Sequence, residues 1–278
     1  MKTIKKSTVL FVGIFFLNVN IMAQYKTSEV NEKTKPFPWP AGKCCAVSLT
    51  FDDARLSQID AGIPLLNQHG IKATFYISPD NLVKRIDGWI SAIKAGHEIG
   101  NHSMTHPCTG NFTWSRKNAL EEYSLDRMAV EEMDRANQLI FDKLHVMAIS
   151  FAYPCGQKFV GRGEKLQSYV PLVAKKFLTG RGWRDEGAND PRFCDFAQLL
   201  GVESDGKTFE ELKSLVDKAA KENQWIVFAG HEMGKQGEYQ TTILSSLEKL
   251  CQYAQNPANG IWIDTVASVA DYIQKTGK

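Results

Sequence analysis

The feature that most constrains the fold is a regular alternation of short apolar runs with longer amphipathic segments. The apolar runs predict seven strands, at residues 46–51, 73–77, 97–102, 147–153, 198–202, 225–229 and 261–263. Helical spacing predicts helices after them, at residues 59–69, 81–95, 114–144, 164–176, 241–254 and 266–274, and one from residue 208. This alternation is typical of parallel βαβ units. Because no GxGxxG turn follows the first strand, a closed or nearly closed α/β barrel in one domain is favoured over a doubly wound sheet.

The N-terminal residues have the organisation of a secretory signal peptide. Lys2, Lys5 and Lys6 precede an apolar run over residues 9–17 and a small-residue cleavage site that ends at Ala23. The run is too short to span a bilayer, and no cysteine stands at the cut to carry a lipid. We therefore expect cleavage of residues 1–23, no membrane anchor in the mature chain, and a periplasmic or secreted product.

Two regions follow the predicted signal peptide. Residues 24–43 include Pro36-Phe37-Pro38-Trp39-Pro40, which cannot form a helix and predicts an extended lead-in. Residues 44–278 would then be the barrel domain.

Charge and cysteine content argue against some classes of protein. The formal net charge is +2, and three positive charges belong to the signal segment, so the mature chain gives no electrostatic reason to bind nucleic acid or an anionic membrane. The six cysteines include no CxxC pair, which argues against a zinc-thiolate site. We expect mostly unpaired thiols with at most one bridge, for which Cys108 and Cys155 are candidates. Nothing in the sequence indicates an oligomeric state.

Two adjacent carboxylates, Asp52 and Asp53, follow the first predicted strand. In parallel α/β folds the chemistry is carried at the C-terminal ends of the strands, where the chain curls and both side chains can turn into one site. One carboxylate can then hold a metal ion while the other accepts protons. The alternative is structural, with both residues opening the next helix as its N-cap and first-turn acid.

A pair of histidines can complete a metal site. His102 and His106 are four residues apart, a spacing that places both imidazoles on one face of a helical turn. The segment lacks the glutamate of HExxH, so a base and a third ligand must come from elsewhere, and Asp52-Asp53 can supply them. Two imidazoles and a carboxylate suit a hydrolytic zinc ion and also other divalent ions. Taken alone, the pair has a surface or capping role as its alternative.

His231 follows the strand predicted at residues 225–229 and so also lies at the C-terminal edge of the sheet. An imidazole that binds no metal titrates near neutral pH, which suits a general acid. The structural alternative is a hydrogen-bonded histidine near the core.

These residues resemble the motifs of the polysaccharide deacetylases, the carbohydrate esterase family-four or NodB-homology enzymes. The resemblance rests on Thr50-Phe-Asp-Asp53, His102-Ser-Met-Thr-His106, Phe151-Ala-Tyr-Pro-Cys-Gly156 and Gly230-His231, and it extends from about residue 46 to the C-terminus. It implies a distorted, incomplete (β/α) barrel that hydrolyses acetyl groups from sugars. It also implies one divalent metal ion, usually Zn²⁺, with Co²⁺, Ni²⁺ or Fe²⁺ as alternatives.

The resemblance also implies roles for individual residues. By motif position, the metal ligands would be Asp53, His102 and His106, the catalytic base Asp52 and the catalytic acid His231. A backbone N–H near Tyr153 would stabilise the oxyanion together with the metal.

The chain departs from the family pattern in three places. Where the third motif commonly has an arginine that pairs with the base, this chain has Ala152, so we predict that Arg181 or Arg184, in a loop at residues 179–185, supplies the cation. The acidic-tryptophan pair that usually orients the catalytic histidine is not recognisable, and its nearest candidates are Trp183, Asp185 and Asp190. A leucine that usually lines the acetyl pocket is replaced by Ala229.

Three functions are consistent with the sequence. The first is removal of N-acetyl groups from an amino-sugar poly- or oligosaccharide. The second is an O-acetyl esterase acting on a plant polysaccharide such as acetylxylan, because the same machinery attacks amides and esters. The third is a non-catalytic sugar-binding protein. Aromatic residues that could stack on sugar rings are Tyr76, Trp89, Trp114, Trp183 and Tyr239, although aromatic residues mostly serve cores.

Overall fold

The structure is a computed structural model, and it describes residues 35–276. The predicted signal peptide and most of the predicted lead-in lie outside these residues. The strands within them are β1 (Cys45–Asp52), β2 (Thr74–Ile77), β3 (Glu98–Asn101), β4 (Ser150–Ala152), β5 (Phe159–Val160), β6 (Gln167–Ser168), β7 (Thr179–Arg181), β8 (Val202–Glu203), β9 (Trp225–Gly230), β10 (Glu232–Gly234), β11 (Thr241–Ile243) and β12 (Ile261–Ile263).

Seven of these strands form one continuous parallel sheet in the order β7-β4-β3-β2-β1-β9-β8, and β12 pairs with the first residues of β1. All eight residues of β1 are buried, as expected for a central strand that is covered on both faces. The backbone of Leu199, just before β8, donates to Gly180 O and accepts from Gly182 N, both at 2.8 Å. This short bridge brings the two edges of the sheet together. The result is the predicted distorted, incomplete (β/α) barrel.

Helices pack around the sheet. They are α1 (Ile63–Gln68), α2 (Pro79–Leu82), α3 (Ile86–Lys94), α4 (Leu125–Arg127), α5 (Arg135–Leu144), α6 (Val170–Lys176), α7 (Phe209–Glu222), α8 (Leu244–Gln255) and α9 (Val266–Thr276). Two π-helical segments, Gln58–Gly62 and Met128–Asp134, lead into α1 and α5. Thr208 and Glu211 form a capping box at the start of α7. None of the helices among the described residues has the length and apolar character needed to cross a bilayer.

The predicted elements differ from the structure in several places. The helix predicted at 81–95 is divided into α2 and α3, and the one predicted at 114–144 becomes helical only at Leu125, after two 3₁₀ turns. The loop predicted at 179–185 begins with β7, whereas the strand predicted at 198–202 is reduced to β8. Apolar spacing signals which face is buried and does not show where a helix is interrupted.

Two of the three apolar clusters in the described residues lie on opposite faces of the sheet. The main core lies between the sheet and α1, α3, α5, α7 and α8. On the opposite face, α9 packs with Trp225 and with Phe37 and Trp39 from the described end of the lead-in. Because both faces are filled, the polar side chains that follow the strands are gathered at the C-terminal edge of the barrel, where the candidate site lies.

Candidate active site

The carboxylates at the end of β1 both turn into one pocket. Asp53 and Ala54 have φ angles of 72° and 52°, a left-handed conformation that curls the chain at the strand end. Gln58 holds this turn, because its Nε2 donates to Asp52 O at 2.7 Å and to His231 O at 2.8 Å. One amide group therefore ties the end of β1 to the end of β9. Sequence reasoning missed this residue, which looks like an ordinary helix position.

His102 and His106 meet in a loop and not on a helical turn, so that part of the prediction is wrong. Ser103 and His106 have positive φ angles, 63° and 51°, which interrupt any helix. The loop is held by side chains instead: Asn101 Oδ1 accepts from Ser103 N at 2.7 Å, and Ser103 Oγ accepts from His106 N at 3.0 Å. The buried carboxylate of Glu132 accepts from Thr105 N at 2.8 Å. The two imidazole centroids are nevertheless only 4.7 Å apart.

Asp53, His102 and His106 form a three-ligand cluster. Asp53 Oδ1 lies 3.6 Å from His102 Nε2 and 3.8 Å from His106 Nε2, and the three donor atoms all lie within 4.8 Å of one another. His102 Nδ1 donates to Ala152 O at 3.0 Å, which leaves the Nε2 lone pair facing Asp53. Arg55 binds the other oxygen of Asp53, at 2.8 Å. This set of two imidazole nitrogens and one carboxylate oxygen fits a divalent metal ion.

The charges within the cluster are consistent with metal binding. Burial, reinforced by the neighbouring His102 ring, lowers the pKa of His106 to about 4, so its imidazole is neutral near pH 7. Burial alone would raise the pKa of Asp53, but the two histidines and Arg55 hold it well below its usual range. Neutral imidazole and ionised carboxylate are the protonation states that ligate metals.

Asp52 is buried beside the cluster and paired with an arginine. Its Oδ2 lies 3.8 Å from His102 Nε2, and its Oδ1 accepts a hydrogen bond from Arg181 Nη2. The Arg181 side chain is fully buried at the end of β7, whereas Arg184 is exposed and binds Glu203 at 3.1 Å. Burial raises the pKa of Asp52, but Arg181 and the nearby histidines outweigh it and keep the pKa below its usual value. Of the two predicted arginines, the structure therefore brings Arg181 to Asp52.

His231 is oriented by an aspartate that sequence reasoning did not select. Asp205, two residues beyond β8, accepts from His231 Nδ1 at 2.7 Å and from His231 N at 3.1 Å. The Trp183 ring lies nearly perpendicular to the imidazole, with an interplanar angle of 76° and a centroid distance of 5.3 Å. Burial alone would lower the pKa of His231, but the hydrogen bond to Asp205 and the surrounding carboxylates raise it overall. Trp183 was among the predicted candidates, whereas Asp185 and Asp190 bond elsewhere.

The backbone N–H of Tyr153 is already engaged, so it is not the oxyanion donor. It donates to Arg181 O at 3.0 Å, and the Tyr153 hydroxyl donates to Ala197 O at 2.7 Å. Cys155, two residues later, lines the pocket in a left-handed conformation, with φ 54°. Among residues 35–276, no hydrogen-bond acceptor faces its N–H. Cys155 is therefore a pocket residue near Tyr153 whose N–H has no hydrogen-bond partner among the described residues.

A disulfide joins Cys155 to Cys108, which is two residues beyond His106. His106 Nδ1 lies 3.7 Å from Cys108 Sγ. Although His106, Cys108 and Cys155 lie close enough to suggest a second metal cluster, the two sulfurs are bonded to each other and cannot act as thiolate ligands. The other cysteines described, Cys44, Cys45, Cys194 and Cys251, are unpaired thiols.

The three candidate metal ligands and the predicted base and acid line one pocket of about 430 Å³ at the C-terminal edge of the barrel. It contains Asp52, Asp53, His102, His106 and His231. Their elements are far apart in the chain but adjacent in the sheet, because parallel strands present their carboxyl ends at one edge.

Comparisons with known proteins agree with this arrangement. A 62-residue stretch is 32% identical to peptidoglycan-N-acetylglucosamine deacetylase PgdA of Listeria monocytogenes, covering 22% of this chain and 13% of that protein. The structure is similar to a probable polysaccharide deacetylase from Pseudomonas aeruginosa (TM-score 0.62, 12% identity, 86% of this chain and 94% of that one). It is also similar to a family 4 acetyl xylan esterase from Clostridium thermocellum (TM-score 0.52, 16% identity, 82% and 91%).

These similarities differ in what they establish. At such identities the structural likeness establishes the fold, and the chain spans about a quarter or less of the length of the curated relatives it matches. The sequence also matches the polysaccharide deacetylase family model over residues 40–162, a range that includes both carboxylates, both loop histidines and the Cys155 turn. This match and the shared fold confirm the predicted resemblance to the polysaccharide deacetylases of carbohydrate esterase family four.

Proposed function

We propose that this protein is an exported, metal-dependent hydrolase that removes N-acetyl groups from an amino-sugar poly- or oligosaccharide. The observation that carries the proposal is the convergence of a base, an acid and a three-ligand set on one pocket. Asp52 and His231 are each held by a buried partner of opposite charge, Arg181 and Asp205. A site that only bound sugar would have no need to hold both groups in fixed ionisation states beside open ligands.

Asp53, His102 and His106 would hold one divalent ion. We infer Zn²⁺ first, because two imidazoles and a carboxylate with open positions match catalytic zinc sites, and Co²⁺, Ni²⁺ or Fe²⁺ as alternatives. When bound, such an ion supplies Lewis-acid polarisation of the acetyl carbonyl and acidifies water.

The remaining steps belong to the chain's own residues. Asp52, kept ionised by Arg181, accepts the proton of the attacking water. The Cys155 N–H donates to the developing oxyanion of the tetrahedral intermediate. His231, whose pKa is raised by the hydrogen bond to Asp205, then donates its proton to the leaving nitrogen of the sugar.

The raised pKa of His231 favours amide over ester hydrolysis. An amine must be protonated to leave, whereas the alkoxide of an ester leaves with less help. The Asp205 hydrogen bond that raises the pKa of His231 therefore supports N-deacetylation. An O-acetyl esterase acting on acetylxylan is the second candidate, supported by the fold shared with the Clostridium esterase.

Export is supported by two observations. The first 23 residues have the organisation of a signal peptide, and they lie outside the described residues. The Cys108–Cys155 disulfide is typical of proteins that fold in an oxidising compartment, such as the periplasm or the extracellular medium.

The proposal is tested by acetate release from the purified chain beginning at residue 24. The protein is stripped of metal and then assayed with Zn²⁺ or Co²⁺ restored, on chitooligosaccharides, peptidoglycan fragments and acetylated xylan. We expect release only with metal, and the responding substrate decides between amide and ester. Asp52→Asn should bind the same amount of metal but release no acetate. Asp271→Asn, which alters an exposed carboxylate on α9, is the matched control and should retain activity.

Two results would contradict the proposal. Metal-independent release would remove the role given to the three ligands. Sugar binding that is equal in the wild type and in Asp52→Asn, with no release from any substrate, would favour a non-catalytic sugar-binding protein.

A further inference from the structure

The two ring nitrogens of His106 have different neighbours. Nε2 lies 3.8 Å from Asp53 Oδ1, within the three-ligand cluster. Nδ1 lies 3.7 Å from Cys108 Sγ and has no other hydrogen-bond partner among the described residues. A ligating histidine usually donates its second N–H to an oxygen, as His102 Nδ1 does to Ala152 O at 3.0 Å. The second nitrogen of His106 therefore differs from that of His102, because its neighbour is a sulfur.

The sulfurs of Cys108 and Cys155 both lie close to the His106 ring. One ligand atom from each of the three residues can be chosen so that all lie within 4.8 Å of one another. In a tetrahedral zinc site, bonds of about 2.1 Å to nitrogen and 2.3 Å to sulfur place these two ligand atoms about 3.6 Å apart. The 3.7 Å between His106 Nδ1 and Cys108 Sγ already matches that spacing. Only the bond between the two sulfurs keeps them from acting as ligands.

The disulfide can be reached from the pocket. Cys155 is partly exposed and lines the pocket, whereas Cys108 is buried. Thiol–disulfide exchange begins when a thiolate attacks an accessible sulfur, here Cys155 Sγ, and Cys108 then leaves as the thiolate. A second exchange step releases Cys155. Overall, an external dithiol supplies two electrons and two protons, and it is itself oxidised to a disulfide.

Hydrogen bonds next to the bridge hold the two cysteines independently of the sulfur–sulfur bond. Cys108 N donates to Ser115 Oγ at 3.1 Å, and Ser115 Oγ donates to Cys108 O at 2.9 Å. Gly156 N donates to Tyr153 O at 2.8 Å and closes the turn that carries Cys155. Both thiols should therefore stay beside His106 after reduction, with only enough separation to admit a metal ion.

We propose that reduction of the Cys108–Cys155 disulfide creates a second metal site, in which the two sulfurs and His106 Nδ1 bind a soft divalent ion such as Zn²⁺ or Cd²⁺. Binding forms two metal–sulfur bonds and one metal–nitrogen bond and releases the two thiol protons to water. Thiolate ligands favour softer ions than the carboxylate of Asp53 does. The inference goes beyond the proposed function, because it requires no substrate.

The second site would compete with the three-ligand cluster for His106. A neutral imidazole has a lone pair on one nitrogen and a proton on the other. When the soft ion binds Nδ1, the ring proton must lie on Nε2, which then cannot bind an ion beside Asp53. The reduced protein should therefore lose one ligand of the candidate catalytic metal site whenever a soft ion is present.

The test uses Co²⁺ as a spectroscopic probe of thiolate ligands. The chain beginning at residue 24 is prepared in its oxidised form and, separately, after reduction with dithiothreitol and anaerobic removal of the reductant. Cobalt bound by thiolates gives an intense near-ultraviolet charge-transfer band, which nitrogen and oxygen ligands do not give. We expect this band only in the reduced protein. Absence of the band from the reduced protein would overturn the proposal.

Variants identify the ligands. Reduced Cys108→Ser and Cys155→Ser should each lose at least half of the band, because one thiolate is missing. Reduced Cys194→Ser is the matched control, since Cys194 is a half-buried unpaired thiol that does not line the pocket, and it should keep the full band. A full band in both bridge variants, or its loss in Cys194→Ser, would overturn the assignment.

A measurement on the wild type covers the case in which a bridge variant does not fold. In protein labelled with ¹⁵N-histidine, Cd²⁺ should shift the His106 Nδ1 resonance in the reduced form and leave it in place in the oxidised form. The same Nδ1 shift in both forms, or in neither, would overturn the proposal. Failure of the proposed function gives a different result, because the oxidised protein would then release no acetate while the cobalt band still appeared on reduction.

Discussion

Replacing Asp205 by asparagine should shift the pH dependence of the reaction. The Asp205 carboxylate accepts the Nδ1 proton of His231 at 2.7 Å, and both side chains are more than nine-tenths buried. Asparagine has the same size and can still accept from His231 N and from Thr242 Oγ1. Its NH₂ group, however, would face Nδ1 as a donor, which favours the neutral imidazole.

The size of the expected pKa change in His231 follows from the loss of its hydrogen bond to the Asp205 carboxylate. A hydrogen bond to a charged group contributes about 1.5–3 kcal/mol, and one pKa unit corresponds to about 1.4 kcal/mol. The pKa of His231 should therefore fall by about one to two units in Asp205→Asn. If His231 is the general acid, the basic limb of the kcat/KM profile moves to lower pH by the same amount.

The free energy of unfolding should depend on pH through the same ionisation of His231. Because the folded-state pKa of His231 is raised, protonated His231 contributes stability that is fully present below about pH 6.5 and is lost as the pH rises through the folded-state pKa. The difference in free energy of unfolding between the wild type and Asp205→Asn should thus be largest in mildly acidic buffer and smaller in alkaline buffer. Urea unfolding at a series of pH values measures it.

The assay measures kcat/KM of the metal-loaded enzyme as a function of pH, together with an NMR titration of the His231 ring. Asp190→Asn, an exposed carboxylate that pairs with Arg192, is the control and should leave the basic limb in place. An unchanged basic limb in Asp205→Asn would refute the assignment of His231 as the acid held by Asp205.

Two further predictions concern the supports of the site. Arg181→Met should leave the buried Asp52 carboxylate unpaired, lower kcat and destabilise the fold by about 3–5 kcal/mol. Arg184→Met, which loses an exposed ion pair with Glu203 and a cation–π contact with Trp183, should cost about 1–2 kcal/mol in urea unfolding. Equal effects of the two substitutions would contradict the pairing of Arg181 with Asp52. Replacing both Cys108 and Cys155 by serine opens a link across 47 residues, and the chain-entropy model gives a cost of up to about 4 kcal/mol. A reductant should lower the Tm of the wild type but not that of the double-serine variant, and an equal response in both would argue against the bridge.

Much of the barrel could be predicted because its strands are buried on both faces. A run such as that of β1 is mostly apolar and fully buried, and the fold places the carboxylates at its end at the catalytic edge. β7 was missed because its sequence, Thr179-Gly180-Arg181, has no apolar pattern and contains an arginine, which is normally exposed. Arg181 is buried only because Asp52, from another strand, neutralises it.

The missed parts of the site depend on contacts between distant segments. Asp205 lies in Ser204-Asp205-Gly206, which is typical of a surface turn, and nothing local indicates that His231 lies beside it. The histidine loop depends on positive φ angles that a four-residue spacing does not reveal. The bridge between Cys108 and Cys155, in contrast, was predicted correctly, because each of these cysteines lies beside a motif of the site.

The position of β1 has a consequence for the order of folding. Its long neighbour, β9, comes from the last quarter of the chain, and Thr50 binds the Phe228 carbonyl across 178 residues. Pairing β1 with β9 closes a long loop, and the entropy lost in closing it opposes the pairing. We therefore expect slow folding with a late, cooperative step. A chain ending at residue 162 would retain both carboxylates and both loop histidines yet leave β1 an open edge strand. Metal-binding competence should therefore appear only once the C-terminal third has docked, so that the site is completed in the same event as the barrel.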